Sequence, residues 1–283
     1  MQRIILLLTF IVIISNTMLA ESPRSSVPKG EAIDKARFIF GFSIGVDVVD
    51  VGLKTIVPIE IPPENALMRI YSRPTPAFNV GIVANIRLNN YFDLRFIPNF
   101  SIAHDFDLYY QFAKPVPDPN SWPYGGQNDL ILRKIECHFL NLPLLVKFKF
   151  PRIHNVRFYA IGGGQVGINL MSAKNNRIPI SDPNGVGAEI IPIIKPYDIQ
   201  VKGGAGIDFY TKYFKLATEF KVSFGVINML EKSENIKNQD NIEHYLTSPI
   251  YTGLQSLKSR TYTISFIIGL GAAKNQKFPP KTR

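Results

Sequence analysis

Arg37-Phe38-Ile39-Phe40-Gly41-Phe42-Ser43-Ile44-Gly45-Val46-Asp47-Val48 is the stretch that decides the fold. Phe38, Phe40, Phe42, Ile44, Val46 and Val48 share one side, and Arg37, Ile39, Gly41, Ser43, Gly45 and Asp47 share the other. A repeat of two is the signature of a strand, because successive side chains point to opposite faces; a helix would repeat near 3.6.

The pattern recurs along the chain. In 78–88, Phe78, Val80, Ile82, Ala84, Ile86 and Leu88 oppose Asn79, Gly81, Val83, Asn85 and Arg87. In 91–102, Phe92, Leu94, Phe96, Phe100 and Ile102 oppose Asp93, Arg95, Asn99 and Ser101. In 141–150, Leu142, Leu144, Val146 and Phe148 oppose Asn141, Lys147 and Lys149. In 156–170, Val156, Phe158, Ala160, Val166 and Ile168 oppose Arg157, Tyr159, Gln165 and Asn169. In 199–209 the polar side holds Gln200, Lys202 and Asp208, and in 214–226 it holds Lys215, Glu219, Lys221 and Ser223. The eighth segment, 261–270, sets Tyr262, Ile264, Phe266, Ile268 and Leu270 against Thr261, Thr263 and Ser265.

The connections alternate in length. Those at 89–90, 151–155 and 211–213 are short, and those at 49–76, 103–131, 171–198 and 227–260 are long. Short turns at one end and long loops at the other describe an all-β, eight-stranded, antiparallel up-and-down transmembrane barrel with four long external loops. Each segment is about as long as a tilted membrane strand of roughly 9–11 residues. Eight strands enclose a lumen only wide enough for side chains, so a solute pore is not expected.

Direction decides the surroundings. A soluble barrel turns its apolar face inward, and a membrane barrel turns it outward. Alternation alone leaves both open. The apolar face is almost unbroken and dense in Phe, as a lipid-facing band should be. The other face would then enclose a lumen charge network of Arg37, Asp47, Arg87, Asp93, Arg95, Lys147, Lys149, Arg157, Lys202, Asp208, Lys215, Glu219 and Lys221.

The start of the chain reads as an address. Arg3 precedes an apolar run from 4 to 14, and Met18-Leu19-Ala20 precedes Glu21. That is the form of a secretory signal peptide over 1–20, cut between Ala20 and Glu21; the run is too short to span a bilayer as a helix. Residues 21–35 read as a flexible leader, 36–270 as the barrel and 271–283 as a basic tail with Lys274, Lys277, Lys281 and Arg283. The 283 residues are 46% hydrophobic, too apolar for disorder, and Cys137 is the only cysteine, which excludes a disulfide framework. A net charge of +10 does not argue for nucleic acid, because no basic-aromatic motif accompanies it in an exported chain.

Gly162-Gly163-Gly164-Gln165-Val166-Gly167 matches a dinucleotide fingerprint, but the strand pattern continues where a helix should start; small residues in a barrel wall explain it better. His104, His138, His154 and His244 make no metal-ligand spacing, so no metal and no cofactor is expected. A Ser–His lipid hydrolase is the enzymatic rival, although no segment marks a nucleophile. The first two long connections are rich in proline, with Trp122 and Tyr124 in the second, and suit either rigid binding surfaces or plain external loops.

Four segments together carry a family likeness. They are 94–101 (Leu-Arg-Phe-Ile-Pro-Asn-Phe-Ser), 142–149 (Leu-Pro-Leu-Leu-Val-Lys-Phe-Lys), 159–164 (Tyr-Ala-Ile-Gly-Gly-Gly), and Ser248-Pro249-Ile250-Tyr251 followed by 257–266. The chain from about residue 36 to 270 resembles the PorT family of outer-membrane barrels from Bacteroidetes. The resemblance implies an outer-membrane barrel that is not an enzyme and assists protein export by a type IX secretion system, with gliding motility supported in some members. Its implied partners are outer-membrane lipid and proteins of a secretion complex. It brings no catalytic residues. A barrel enzyme acting on outer-membrane lipid, and a structural or adhesive barrel, remain the alternatives. One departure is that Gly271 and a basic tail follow Leu270, where such barrels commonly end on an aromatic residue.

Overall fold

A computed structural model describes residues 34, 36–61, 65–117, 127–171, 194–211, 214–231 and 252–271. The expected signal peptide with its Ala20–Glu21 cut, the leader apart from Asp34, Trp122 and Tyr124, His244 and the basic tail beyond Gly271 lie outside those residues. Among the described residues thirteen strands run β1 (Phe38–Thr55), β2 (Ile59–Ile61), β3 (Asn65–Arg73), β4 (Thr75–Arg87), β5 (Phe92–Phe96), β6 (Asn99–Ile102), β7 (Phe106–Pro117), β8 (Gln127–Ile135), β9 (Phe139–Lys149), β10 (Val156–Asn169), β11 (Tyr197–Tyr210), β12 (Lys215–Gly225) and β13 (Leu254–Gly271).

Antiparallel neighbours close into a ring. The order is β1-β13-β12-β11-β10-β9, then β5 and β6, then β4, which pairs back onto β1. β5 and β6 are one wall strand. Their pairing with β4 keeps a single register from Arg87↔Asp93 to Phe78↔Ile102, and their pairing with β9 keeps one from Phe92↔Phe148 to Ser101↔Phe139. The break at Ile97–Pro98 falls where proline has no N–H to give the ladder. Neighbours still use the carbonyls there: the Ile82 N–H donates to Pro98 O at 3.0 Å. The wall is therefore eight strands, and closure leaves none of them with an open edge.

Burial runs opposite to that of a soluble protein. Phe42 is 65% exposed and Ile44 61%, while Arg95, Lys147, Asp208 and Glu219 are at most 1% exposed. Apolar side chains stand outward on every wall strand and the charged face is enclosed. In water this would leave a continuous apolar band uncovered, each residue forfeiting about 1.5–3 kcal/mol of burial. In hydrocarbon the same band is the favourable surface, and the closed ladder satisfies every backbone group.

The polarity reverses within β1. Outward residues are apolar as far as Val48; beyond it Val49 and Val51 turn inward and are buried, while Lys54 is exposed. The apolar residues change sides without any break in the strand. This is where the wall leaves hydrocarbon and enters water, with the ordinary pattern of apolar inside and polar outside restored.

Beyond that point the structure departs from the expected open loops. The connections 49–76 and 103–131 are largely strand: β2-β3-β7-β8 form a four-stranded sheet, with β1 and β13 prolonged beside it to Thr55 and Leu254. β3 leads into β4, β7 follows β6 and β8 leads into β9, so the order β3-β7-β8 repeats the order β4-β6-β9 and carries the wall onward. Its inner face holds Leu67, Ile70, Phe106, Leu108, Tyr110, Phe112, Ile131 and Ile135, which pack with Val49, Val51, Leu254 and Leu257 into one buried core. Met229 and Leu230 join it, and Leu230 pairs with Ile194 across the roots of the other two long connections. The mouth at this end is thus filled by an apolar plug.

Candidate functional site

The lumen gathers most of the charged residues that the alternation singled out. Arg95 on β5 pairs with Glu219 on β12, whose carboxylate also accepts from the Tyr159 hydroxyl at 2.6 Å and from Lys221 Nζ at 3.1 Å. Beside it, Asp208 takes Lys147 at 2.6 Å and Lys215 at 3.4 Å. Lys147 Nζ also lies 3.4 Å from the centre of the Tyr159 ring. That ring has room because the residue opposite it is Gly206, where a Cβ would fall 2.5 Å from the phenol. Asp93 pairs with Lys149 and accepts from Asn85 Nδ2 at 2.9 Å, and Asn85 Oδ1 accepts from Arg95 Nε at 3.2 Å.

At the short-turn end, Arg157 grips the Asp34 carboxylate with both terminal nitrogens at 2.6 and 3.1 Å. Arg87 donates to the Asp34 carbonyl at 2.7 Å. Among the described residues Arg37 makes no ion pair within the network. It is exposed at the rim, just before the first residue of β1, with its guanidinium 5.7 Å from the Phe38 ring.

Towards the plug the lumen turns from ion pairs to hydrogen bonds in which charged groups meet neutral partners. Lys202 donates to Gln165 Oε1, Gln165 Nε2 to Asn141 Oδ1 at 2.9 Å, and Asn141 Nδ2 to Asn99 Oδ1 at 3.1 Å. Asp198 accepts from Gln200 Nε2 at 2.7 Å and from Ser259. Asp47 accepts from Thr263 and from Ser101 Oγ, the latter at 3.0 Å. Between these groups lies a cavity of about 20 Å³, room for one or two waters. An apolar layer including Val83, Ile97, Leu145, Ile161, Ala217 and Ile267 completes the filling.

Ser101 Oγ also stands 3.2 Å from His104 Nδ1, the distance a Ser–His hydrolase would need. The proton order is wrong for one. The Ser101 hydroxyl donates to Asp47, and among the described residues no carboxylate is hydrogen-bonded to the imidazole to orient it as a base. Both residues are buried beneath the plug, with no access for a lipid. Burial holds the His104 imidazole down to about 4, with Lys202 acting in the same sense and Asp47 and Asp105 against it. His138 and His154 lie elsewhere, and among the described residues no group of His, Cys, Asp and Glu could hold a metal ion. Cys137 is fully enclosed, and burial pushes its thiol well up.

Neutral residues also belong to the network, among them Asn85, Tyr159, Gln165, Asp47's partner Thr263 and Asp198's partner Ser259. Their signal in the sequence is their position alone: each falls on the inward phase of its strand.

A family model described as an outer membrane protein beta-barrel domain matches residues 23–231. No curated protein matches the chain. Among solved structures, Neisserial surface protein A is 10% identical, with 81% of this chain and 96% of that one covered and a TM-score of 0.36. Ail, the attachment invasion locus protein of Yersinia pestis, is 13% identical over 83% and 99%, with a TM-score of 0.34. OprG from Pseudomonas aeruginosa is 11% identical over 84% and 97%, at 0.36.

Proposed function

Because the chain belongs to the outer membrane protein beta-barrel domain family and resides in the outer membrane, we propose that it is a plugged, non-catalytic barrel that holds a folded β-sheet outside the bilayer for a protein partner. The observation that carries this reading is the sheet β2-β3-β7-β8 with its own buried core. Loops that served only to join strands would not need one. A core of this kind preorganises a surface, so less ordering entropy is lost when a partner binds. The lumen supports the same reading from the other side: it is occupied by ion pairs, an apolar layer and the plug, which suits a rigid support better than a conduit.

Assistance to a type IX-like export system is the finer form of the proposal. The segments 94–101, 142–149, 159–164 and 257–266 support it by their resemblance to such barrels. The test is a deletion strain complemented by the intact chain or by a chain in which 56–73 is replaced by a short turn. Cargo held in the periplasm by the deletion, and by the trimmed barrel despite normal insertion, is the expected result. Normal export in the deletion strain contradicts it. An adhesive barrel would use the same external sheet, and loss of attachment with export intact would select that reading.

A further inference from the structure

The outer face of the external sheet carries an ordered ladder of arginines and tyrosines. Across β3 and β7 the paired rows are Arg73↔Asp107, Tyr71↔Tyr109 and Arg69↔Gln111. Tyr71 and Tyr109 stack with centroids 5.2 Å apart and planes 10° from parallel. The Arg73 guanidinium lies 4.7 Å from the Tyr109 ring centre, and that of Arg69 lies 5.1 Å from the Tyr71 centre. Both arginines are exposed, and among the described residues neither forms an ion pair with a carboxylate. Lys134 on the neighbouring strand differs: it is tied to Asp105 at 3.1 Å. A guanidinium lying against aromatic faces keeps its N–H donors at its edge, where they can form a two-pronged contact with phosphate or carboxylate.

Position selects the ligand. β3 runs directly into β4, whose outward residues Phe78, Val80 and Ile82 are part of the lipid-facing band. The Arg73 row therefore sits just past hydrocarbon, with the tyrosines next and Arg69 beyond. Short turns of outer-membrane barrels face the periplasm, so this end of the wall rises through the outer leaflet. The exposed Leu130 and Leu132 of β8 flank the same rows, which suits a surface shared with acyl chains and sugars more than one open to bulk water.

We propose that Arg69, Tyr71, Arg73 and Tyr109 form a binding site for the phosphorylated saccharide headgroup of lipopolysaccharide in the surrounding outer leaflet. The two guanidiniums take phosphate, and the stacked tyrosines take the apolar face of a sugar ring. A free acidic polysaccharide offers the same chemistry; continuity with the lipid-facing band favours the membrane's own glycolipid.

The test titrates the full mature protein in detergent with purified lipopolysaccharide. R69Q/R73Q should weaken binding by roughly tenfold or more, the loss of two charge-assisted contacts. K54Q, on the outward side of β1, should leave it within about twofold, as expected for a surface charge outside the site. Dephosphorylated lipopolysaccharide should bind as weakly to the unaltered protein as the intact glycolipid does to R69Q/R73Q. Equal affinity of R69Q/R73Q and unaltered protein overturns the proposal, as does tighter binding of dextran sulfate than of lipopolysaccharide. Should R69Q/R73Q fail to fold, hydrogen exchange on the unaltered protein decides: slowed exchange at 69–73 and 107–111 on adding lipopolysaccharide is expected, and unchanged exchange overturns it.

Discussion

Arg95 and Glu219 are partners across the lumen although 124 positions separate them in the chain, and neither side chain is reached by solvent. Each is the other's main counter-charge, so the pair fixes β5 against β12 through the interior as well as through the wall. Removing one member of such a pair strands the other. Glu219→Gln should cost on the order of 3–5 kcal/mol, read as a lower denaturant midpoint for unfolding from lipid or detergent. Replacing both, as Arg95→Met with Glu219→Leu, should recover part of that loss, because Arg95 no longer lies buried without a counter-charge while Lys221 still loses its carboxylate partner. An equally large loss in the double variant would show that the pair acts through packing.

A filled lumen predicts electrical silence. The purified protein in a planar bilayer should show no steady single-channel conductance. Val51→Ser with Leu257→Ser, which puts hydroxyls into the plug, should destabilise it by roughly 1–3 kcal/mol per unsatisfied group and still not open a pore. The ion pairs and apolar layer beneath remain. Stepwise conductance in the unaltered chain would contradict this.

The eight wall strands are legible in the sequence because each keeps one phase across the membrane. What lies beyond the membrane is harder to read for a physical reason. At Val48–Val49 the apolar residues pass to the other face, so a search for one continuous phase stops there, although β1 runs on to Thr55. In β3 the inward residues Leu67 and Ile70 are three apart, because the pairing with β7 shifts between Leu67 and Arg69. β7 had a clean signal: Phe106, Leu108, Tyr110 and Phe112 alternate without fault. Its proline-rich continuation made the segment look like loop. In the lumen the charges were legible, but their pairing across the ring was not, since Lys147–Asp208 and Arg95–Glu219 follow from closure and register. The exposure of Arg37 depended on where β1 begins, the least legible feature of any strand.

His104 supplies a pH dependence whose sign is fixed. Its imidazole titrates near 4 when folded against an ordinary 6.5, so the unfolded chain binds the extra proton between those values. The contribution is complete above about pH 6.5 and is lost as pH falls towards 4. The unfolding midpoint should drop over that window, and His104→Gln should flatten the drop. A midpoint that rises on acidification through the same window would contradict the burial of a neutral ring among Asp47, Asp105 and Lys202.

Cys137 should be chemically silent in the folded protein. It is fully enclosed, and its thiol is held towards the protonated form by burial. A maleimide should label it only after unfolding in denaturant. Rapid labelling of the folded barrel would show that the junction between β8 and β9 opens.

The central claim is that the apolar face of the wall meets lipid. It is tested most directly by fluorescence in vesicles whose acyl chains carry bromine, a contact quencher. In a Trp122→Phe background, single tryptophans at Phe42 and Ile264, which face outward, should be strongly quenched, while one at Ile161, in the lumen, should not. Strong quenching at Ile161 with none at Phe42 and Ile264 would mean that the barrel faces the other way.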